Sequence, residues 1–351
     1  MNLALTEEQL SVREAFAELF QAESTPARVR AAEGAGFDER LWRLYAATGA
    51  LGIGVPPELG GGGGGLLDLV LVAEEAGRHL ASIPFTEAAA AARLLARLGA
   101  SELLEPALTG RPIVTLATGA GPLDQQLLSA GAIADAALSL RTDSLRYVTR
   151  PAGAPRSPAA NVGALPLARW AVTDPGVPVA DGTAAGAAFA VALDEVRVLR
   201  AAALTGLAAE AIAIGARYAT TRQAFGQPIG AYQAVAHPLA DAVTATDGAR
   251  LLAWKACWAL EAGRGEGPEL AAMAFAFAAE TASFAAAHSL HVHGGYGFTQ
   301  EYDIQLYYRR AKAWATSFAD PRRELLTVAD RRFGPAAPSA AVFDTVAAET
   351  R

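Results

Sequence analysis

The segment from Arg222 to Gln233, RQAFGQPIGAYQ, combines residue types that suit the binding of a phosphorylated ligand. An arginine presents a planar fork of donors that matches phosphate oxygens, and glycines let a ligand approach backbone N–H groups. An aromatic residue, Phe225, and an amide, Gln233, lie in the same stretch. The composition is also that of an ordinary glycine turn between two helices, and composition alone favours that second interpretation.

The segment from His291 to Tyr302, HVHGGYGFTQEY, holds a second set of small and polar residues at the junction of two predicted helices. Three histidines, His288, His291 and His293, raise the question of a metal site. No cysteine or acidic triad accompanies them, and histidines beside a Gly-Gly turn more often bond the loop or a ligand phosphate. The residues therefore favour a polar loop over a metal centre.

The composition excludes several classes of protein. The 351 residues carry a formal net charge of -7 and no block of lysine and arginine, so the footprint of a nucleic-acid-binding surface is missing. The single cysteine, Cys257, excludes an internal disulfide and fits a reducing compartment. The N-terminus is acidic where a signal peptide is basic, and no stretch reaches about 18 uninterrupted apolar residues. We expect a cytoplasmic protein without a membrane partner.

The first part of the chain has the pattern of helices. Thr6 followed by Gln9 is a capping-box pattern, and apolar residues then recur at helical spacing. The stretches FDERLWRLYAATGALGI, LLDLVLVAEEAGRHLA and EAAAAARLLARLGA predict three more helices. The glycine run 60–65 has no Lys-Ser/Thr after it and no strand before it, which favours a surface loop over a phosphate loop. A helical domain is predicted over residues 1–111.

The composition changes at residue 112. The runs PIVTLAT, SLRYVTR, ARWAVTD and AAFAVALDEVRVL predict a small β domain over residues 112–198. The helical pattern then returns and predicts a four-helix bundle over residues 199–335, followed by a tail over residues 336–351. The bundle helices are expected over residues 201–221, 232–262, 268–292 and 302–330. The fold class is thus mostly α with a central β domain, and no GxGxxG motif follows a strand, which disfavours a dinucleotide-binding sheet.

Three motifs, taken in chain order, resemble those of the acyl-CoA dehydrogenase family. The family carries an R-x-x-F-G-x-x-[IL] loop, matched by residues 222–229, and a G-G-x-G-[FY]-x-x-E-[YFH] loop, matched by residues 294–302. An R-[DR]-A-K helix follows, matched by residues 309–312. The LTEEQ helix, the LGIGVPPELGG stretch and the acidic pair at 74–75 extend the resemblance over most of the chain.

The resemblance implies a fold and an activity. Family members have a helical N-terminal domain, a central β domain and a C-terminal four-helix bundle, and they assemble as a dimer of dimers with FAD between subunits. Their reaction removes an α-proton from an acyl-CoA thioester with a carboxylate base and passes the β-hydride to flavin. Electron-transfer flavoprotein or another acceptor is the implied redox partner, and acyl-CoA is the implied substrate.

The resemblance also gives roles to the residues of the first loop. Arg222 is expected to reach the FAD pyrophosphate of the neighbouring subunit. Phe225 and Gln233 are expected to line the adenosine side of the same cofactor. Such a site lies across a dimer interface, so the oligomer is part of the chemistry.

Roles for the second loop follow in the same way. Gly294 and Gly295 are expected to let the pyrophosphate approach the backbone, and Thr299 and Glu301 are expected at the adenine end. His291 stands where the family usually has glutamine. The two loops together form the predicted cofactor site.

The carboxylate base of the family is missing from the positions where members carry it. In many members a glutamate lies six residues after the R-x-A-K lysine, and Phe318 stands there in this chain. Other members place the glutamate near the start of the first bundle helix, which corresponds to residues 196–200, and no carboxylate lies there. The nearest acidic residues are Asp194, Glu195 and Asp320. Each of them also has a structural interpretation, as a strand end or a turn.

The motifs that contact the flavin ring are missing as well. Active members carry a T-E-x-x-x-G-S-D segment and a W-I-[TS]-N strand, and residues 113–150 contain neither. Trp170 belongs to a W-A-V-T string that occurs too late in the domain. This combination resembles one subunit of the actinobacterial heteromeric acyl-CoA dehydrogenases, two-plus-two assemblies that act on bulky steroid or other side-chain CoA thioesters. The leading hypothesis is therefore a base-deficient partner subunit.

Three alternatives stay open on the sequence. One is a self-sufficient homotetrameric dehydrogenase with Asp320 or Glu301 as a non-standard base. A second is a non-enzymatic assembly or regulatory module of the same fold, which the retained arginine and Gly-Gly loops argue against. The third is a flavin monooxygenase on this fold.

Overall fold

The computed structural model of the protein describes residues 4–118 and 122–334. Helices occupy both ends of the described chain and a small set of strands lies between them, so the predicted fold class is confirmed. The predicted tail over residues 336–351 lies outside the described residues, and so do residues 119–121 within the segment searched for flavin-ring motifs.

Helices form most of the described chain before residue 110. They are α1 (Glu7–Glu23), α2 (Pro26–Ala31), α3 (Glu39–Ala47), α4 (Leu66–Arg78), α5 (Phe85–Arg97) and α6 (Ser101–Leu108). The capping box of α1 is confirmed, since the Thr6 hydroxyl accepts from the Gln9 amide and the Gln9 side chain accepts from the Thr6 amide. The glycine run 60–65 forms no regular element and precedes α4, as expected of a loop.

An aromatic cluster centred on Tyr45 holds the first helices together. The Tyr45 ring is fully buried, and its centre lies 5.8 Å from Phe16, 6.3 Å from Phe20, 5.8 Å from Trp42 and 5.7 Å from Phe85. Aromatic side chains bury large apolar areas, so this cluster contributes much of the packing between α1, α3 and α5.

The central strands form two small sheets. The strands are β1 (Val114–Ala117), β2 (Gln126–Leu128), β3 (Ala136–Arg141), β4 (Ser144–Thr149), β5 (Ala168–Trp170) and β6 (Val177–Asp181). One sheet has the order β1-β3-β4-β6, in which only the β1–β3 pair is parallel, and the other pairs β2 with β5 antiparallel. Three of the four runs predicted as strands therefore contain strands.

The fourth predicted strand is wrong. The run AAFAVALDEVRVL at residues 187–199 belongs to helix α7 (Gly182–Thr221). Its buried positions recur at the spacing of a helix, as at Ala188, Ala192, Val196 and Leu199. A short run of apolar residues does not distinguish a strand from a buried helix, and alanine is the best helix former. The predicted boundary at residue 198 thus falls inside a helix, and the division into domains stays a prediction.

The remaining helices form the predicted bundle. Helix α7 is followed by α8 (Gln233–Glu261), α9 (Gly267–Val292), α10 (Ile304–Thr316) and α11 (Pro321–Phe333). Helix α9 packs against each of the other four. The single helix predicted over residues 302–330 is two helices, because the chain turns before Pro321, and a proline begins a helix readily but does not continue one.

Helices α4 and α7 approach each other backbone to backbone at two glycines. A Cβ atom added to Gly77 would lie 1.9 Å from the carbonyl oxygen of Ala203, and one added to Gly206 would lie 1.8 Å from that of Glu74. Any larger residue at either position would force the two helices apart. The contact fixes the N-terminal helices on the bundle.

Two bundle helices, α7 and α9, are long and apolar enough to cross a membrane by length and composition. In the most apolar window of each, 78% and 67% of the residues are buried inside the fold. Burial of this extent is that of core helices, which pass the same test of length and composition.

Candidate functional site

The first predicted loop forms a tight hairpin between α7 and α8. Strand β7 (Gln223–Ala224) pairs with β8 (Gln227–Pro228), and the turn between them contains Phe225 at φ +51° and Gly226 at φ +81°. The Tyr232 hydroxyl donates to the Ala224 carbonyl at 3.0 Å, and this bond stabilises the hairpin. The Phe225 side chain is 97% exposed, an unusual position for a large apolar group.

Arg222 begins this hairpin with a fixed backbone and an available side chain. Its amide donates to the Tyr218 carbonyl at 2.9 Å, and its carbonyl accepts from the Ile229 amide at 2.9 Å. Its side chain is exposed and has no ion pair with a carboxylate of the described residues. Gln233, the first residue of α8, is exposed as well. The predicted polar residues of this loop are thus free to meet a ligand.

The second predicted loop follows α9 as a short 3₁₀ turn, Gly294–Phe298. An added Cβ would meet no atom within 4 Å at Gly294 or at Gly295, and Gly294 has a φ of +58°. The backbone at Gly294 and Gly295 therefore faces open space, whereas Gly297 of the same turn is buried. His291 is exposed near the end of α9.

The last part of the second loop is held by local bonds. The Thr299 hydroxyl donates to the Tyr296 carbonyl at 3.1 Å. Hydrogen bonds from its own backbone and from Thr299 lower the pKa of the exposed Glu301 carboxyl. A carboxyl whose ionised form is stabilised in this way is a weak proton acceptor, which is the opposite of what a catalytic base needs.

Tyr218 and His293 bring the two loops together. Tyr218 lies one turn before Arg222 on α7, and its ring stacks on His293 with centres 4.2 Å apart. The His293 Nδ1–H donates to the Ser289 carbonyl at 2.7 Å, and Tyr302 packs edge-on against both rings. Sequence reasoning missed Tyr218, although its position one helical turn before Arg222 was a usable signal. The predicted residues of both loops lie at one end of the bundle.

His293 is therefore a structural residue. Its ring is buried, and that burial lowers its pKa, so the neutral form is favoured. His288 packs on Phe284, with ring centres 4.3 Å apart. Among residues 4–118 and 122–334, no group of three or more His, Cys, Asp or Glu side chains could hold a metal ion.

The two positions where family members carry their base meet in space. Phe318 lies in the turn between α10 and α11, and its ring packs edge-on against Phe275 of α9 with centres 5.8 Å apart. The guanidinium of Arg197, from the second family position, lies over the same ring at 5.6 Å. A phenyl ring and an arginine thus meet where the family resemblance predicts a carboxylate.

The carboxylates nearest to Arg197 are bound by arginines. Asp194 accepts from Arg197 at 3.0 Å and from Arg331 at 3.1 Å, and Glu324 accepts from Arg197 at 2.7 Å. Burial raises the pKa of Asp194 against the opposing pull of the two arginines. These groups form a network that fastens α11 to α7, and none of them is left free to take a substrate proton.

Glu195 and Asp320 also have structural partners. Glu195 is buried and accepts from Arg93 at 2.9 Å and from Arg97 at 2.6 Å. Asp320 is exposed and caps α11, since its carboxylate accepts from the Arg322 amide at 3.0 Å. An N-cap aspartate is a common helix-stabilising residue. The expected turn at Asp320 agrees with this geometry, whereas the expected strand end at Asp194 and Glu195 is wrong, because both residues lie inside helix α7.

Trp170 is a core residue of the β region. It is 1% exposed, its Nε1–H donates to the Gly131 carbonyl at 2.8 Å, and the Arg150 guanidinium lies over its ring at 4.9 Å. All faces of the ring are occupied by the protein itself. It has no open face for a flavin, in keeping with the expectation that its W-A-V-T string is not the family motif.

Comparison with known proteins gives matches at both ends of the chain. Residues 6–110 match the family described as "Acyl-CoA dehydrogenase, N-terminal domain", and residues 186–317 match "Acyl-CoA dehydrogenase, C-terminal domain". The acyl-CoA dehydrogenase IpdE2 of Mycobacterium tuberculosis is 34% identical over 324 residues, which cover 91% of this chain and 95% of that protein.

Solved structures give the same result. The ChsE4-ChsE5 complex from Mycobacterium tuberculosis contains a chain that is 26% identical, with a TM-score of 0.83 and coverage of 96% of this chain and 100% of that one. A variant of the Tcur3481-Tcur3483 steroid ACAD contains a chain that is 28% identical, with a TM-score of 0.82 and coverage of 93% and 98%.

Proposed function

Because this chain belongs to the acyl-CoA dehydrogenase family, we propose that it is the base-deficient partner subunit of a heteromeric, FAD-dependent acyl-CoA dehydrogenase. The family consists of oxidoreductases with FAD as cofactor. The reaction of the proposed assembly is the α,β-dehydrogenation of an acyl-CoA thioester. In this assembly the related subunit supplies the base, and this chain completes the cofactor site.

One observation carries the proposal, namely the contact between Arg197 and Phe318. Proton abstraction needs a carboxylate within hydrogen-bond reach of the substrate carbon, and both family positions for that group are occupied by other side chains. Arg197 instead holds the neighbouring carboxylates of Asp194 and Glu324 in ion pairs. A chain without a free carboxylate at this contact depends on another subunit for its catalytic base.

The cofactor fits the exposed end of the bundle. Arg222 offers a guanidinium without a carboxylate partner in the described residues, and the turn at Gly294 and Gly295 offers backbone N–H groups beside open space. Guanidinium forks and exposed backbone amides are donors that bind a diphosphate well. These residues would hold the pyrophosphate of FAD carried by the neighbouring subunit, and Phe225 would cover its adenosine side. When bound, FAD supplies the acceptor for the substrate hydride.

The relatives support a two-chain assembly and a bulky substrate. Both solved structures named above are described as pairs of different chains, and one is described as a steroid ACAD. We propose a steroid or similarly bulky acyl-CoA as the substrate, and an electron-transfer flavoprotein as the acceptor. The proposed location is the cytoplasm.

The first test is co-expression with a related acyl-CoA dehydrogenase chain encoded beside it. We expect one assembly containing equal amounts of both chains, with about half an FAD per chain and dehydrogenase activity that neither chain has alone. Mass by size exclusion and FAD content by absorbance measure both quantities. A homotetramer of this chain alone, with one FAD per chain and full activity, would refute the proposal.

A pair of variants tests the cofactor contact. Replacing Arg222 by Met in this chain is expected to weaken FAD binding about tenfold or more, since a charge-assisted hydrogen bond contributes about 1.5–3 kcal/mol. Arg217→Met is the matched control, because Arg217 lies on the same helix, is 66% exposed and pairs with Glu210 at 2.9 Å. The control should retain its FAD. Equal FAD content in both variants would contradict the assigned contact.

A further inference from the structure

A small cavity lies where the N-terminal helices, the β region and the bundle meet. Its volume is about 30 Å³, and its polar lining comes from all three parts of the chain. The lining includes Ser82, Glu87, Ser129, Arg200 and Arg310. We call this cavity, defined by these five residues, the junction cavity. None of its residues belongs to the two loops of the proposed cofactor site.

Arg310 lines the junction cavity as a buried cation without a carboxylate partner. Its side chain donates to the Ser82 hydroxyl at 3.3 Å and lies over the Trp314 ring at 5.3 Å, and the residue is 5% exposed. No carboxylate of the described residues lies within ion-pair distance of its guanidinium. Burial lowers its pKa to about 10; the more distant Glu33 carboxylate opposes that shift, and Arg309 and Arg200 add to it. Arg310 remains positively charged at neutral pH.

Arg200 adds a second buried guanidinium to the same cavity. It is 6% exposed and pairs with Glu87, whose carboxylate is the one acidic group of the lining. The Arg200 Nε–H is buried and has no hydrogen-bond partner. The lining thus holds two guanidinium groups and one carboxylate, which is paired with Arg200, so one positive charge is not balanced and one buried donor has no acceptor.

This arrangement lacks a negative charge. A buried cation without an ion pair is unfavourable, and a buried donor without an acceptor adds to that cost. We propose that the junction cavity binds one small oxyanion of the carboxylate class, such as formate or acetate, between Arg310 and Arg200. Guanidinium forks match the two oxygens of such an ion.

The size of the junction cavity limits the ligand. One water molecule needs about 10–15 Å³ of this kind of volume, so the cavity holds the equivalent of two or three waters. A formate or acetate ion meets that limit. A phosphate ester, an aromatic carboxylate or the head of a coenzyme does not. This inference goes beyond the proposed dehydrogenase function and does not depend on it.

The bound anion would link the three parts of the chain. Ser82 comes from the loop between α4 and α5, Ser129 follows β2, and the two arginines belong to α7 and α10. A ligand that binds the folded protein and not the unfolded chain raises stability in proportion to the logarithm of its concentration. Anion binding can therefore be measured as an increase in Tm, without a catalytic assay.

The test uses the full chain in the assembly in which it purifies. The protein is exchanged into a buffer whose only anion is gluconate, and formate, acetate or benzoate is then added at constant ionic strength. We expect the Tm to rise with the logarithm of the formate or acetate concentration, by about 2–5 °C at the highest concentrations, and no such rise with benzoate. Isothermal titration with formate should give one site per chain.

The variant Arg310→Met should be as stable as the natural protein or more stable in gluconate, but formate should no longer stabilise it. Because the variant removes the unpaired buried charge and keeps a similar volume, its Tm in gluconate should equal or exceed that of the natural protein. Its response to formate should be lost. Arg309→Met is the matched control, since Arg309 pairs with Glu33 at 2.8 Å and donates to the Val162 carbonyl, outside the junction cavity. The control should keep the formate response.

Several results would overturn the inference. The first is a natural protein whose Tm responds equally to formate and benzoate, which is a general salt effect. The second is an Arg310→Met variant whose Tm rises with formate concentration as much as that of the natural protein. If Arg310→Met does not fold, the titration of the natural protein decides alone, and the absence of a formate site there overturns the proposal. None of these results affects the FAD stoichiometry that tests the proposed function.

Discussion

The guanidinium of Arg197 lies 5.6 Å from the centre of the Phe318 ring, and the contact joins two segments that are 121 positions apart in the sequence. In the family these two segments are alternative positions for one catalytic carboxylate. Their convergence explains how a base at either position serves the same reaction. A cation–π pair, and no free carboxylate, lies at this contact, which agrees with the base-deficient role proposed above.

The first prediction concerns Phe318. Phe318→Ala removes the contacts with Phe275 and Arg197, and because the ring is only partly buried we expect a loss of about 1–3 kcal/mol of stability. Turnover per FAD of the heteromeric assembly should not change. Urea unfolding and steady-state kinetics measure the two effects. Phe333→Ala, at a ring that is 81% exposed, is the control and should alter neither. A large fall in turnover with Phe318→Ala would mean that this turn takes part in catalysis.

The second prediction separates a base from a helix cap at Asp320. Asp320→Ala should lower stability by about 1 kcal/mol, because the Arg322 amide loses its acceptor, and it should leave turnover unchanged. Asp320→Asn keeps an N-cap acceptor and should be close to neutral in both measurements. If both variants lost turnover while keeping FAD, Asp320 would be the base of a self-sufficient enzyme.

The sequence predicted the elements whose signals are local. The capping box at Thr6 and the boundaries of α8 and α9 follow from residues that lie within one or two turns. The helical nature of residues 187–199 did not follow, because a short apolar run has the same pattern in a buried strand and in a buried helix. That distinction depends on what packs around the run, and packing is a property of the whole fold.

The candidate site divides in the same way. The loops at Arg222 and at Gly294 are continuous motifs, so the sequence sufficed to predict a cofactor site there by family resemblance, and that site stays a prediction. By contrast, Asp194 pairs with Arg331, which lies 137 positions away in the sequence, and no local sequence pattern predicts such a pair. The junction cavity could not be predicted from the sequence for the same reason, because its two arginines come from separate helices.

The third prediction uses the open space around the second loop. Gly295→Ala should leave the stability of the chain nearly unchanged, because an added Cβ meets no atom within 4 Å and the residue is not in the left-handed region. The same methyl group should crowd a pyrophosphate lying against the backbone and lower FAD content. Gly186→Ala, at a helical glycine with equally open space, is the control. Unchanged FAD content in Gly295→Ala would place the cofactor elsewhere.

The fourth prediction concerns Arg197 as a structural residue. Arg197→Met leaves Glu324 and Asp194 buried with one arginine fewer, and breaking a buried pair typically costs about 3–5 kcal/mol. Because the network fastens α11 to α7, local exposure of α11 should follow. Hydrogen exchange of α11 amides measures this directly. Protection equal to that of the natural protein would show that α11 is held by its apolar contacts alone.

The last prediction is a pH dependence that comes from the packing of His293 on Tyr218. Burial lowers the pKa of His293 below its usual value near 6.5, so the unfolded chain takes up the proton more readily than the folded one. Stability should therefore be greatest above about pH 6.5, the pKa of histidine in the unfolded chain. It should fall as the pH decreases from there towards the lower pKa of His293 in the folded protein. Urea unfolding between about pH 5 and 8 measures the slope.

The variant His293→Phe keeps a ring stacked on Tyr218 but has no group that titrates, so its stability should depend less on pH. It also loses the hydrogen bond to the Ser289 carbonyl, which should lower its stability at every pH. Burial lowers the pKa of His79 as well, and a variant that also replaces His79 should flatten the curve further. A slope in His293→Phe equal to that of the natural protein would mean that the ring is already solvated in the folded state. The stacked pair would then be too loose to hold the two cofactor loops at one end of the bundle.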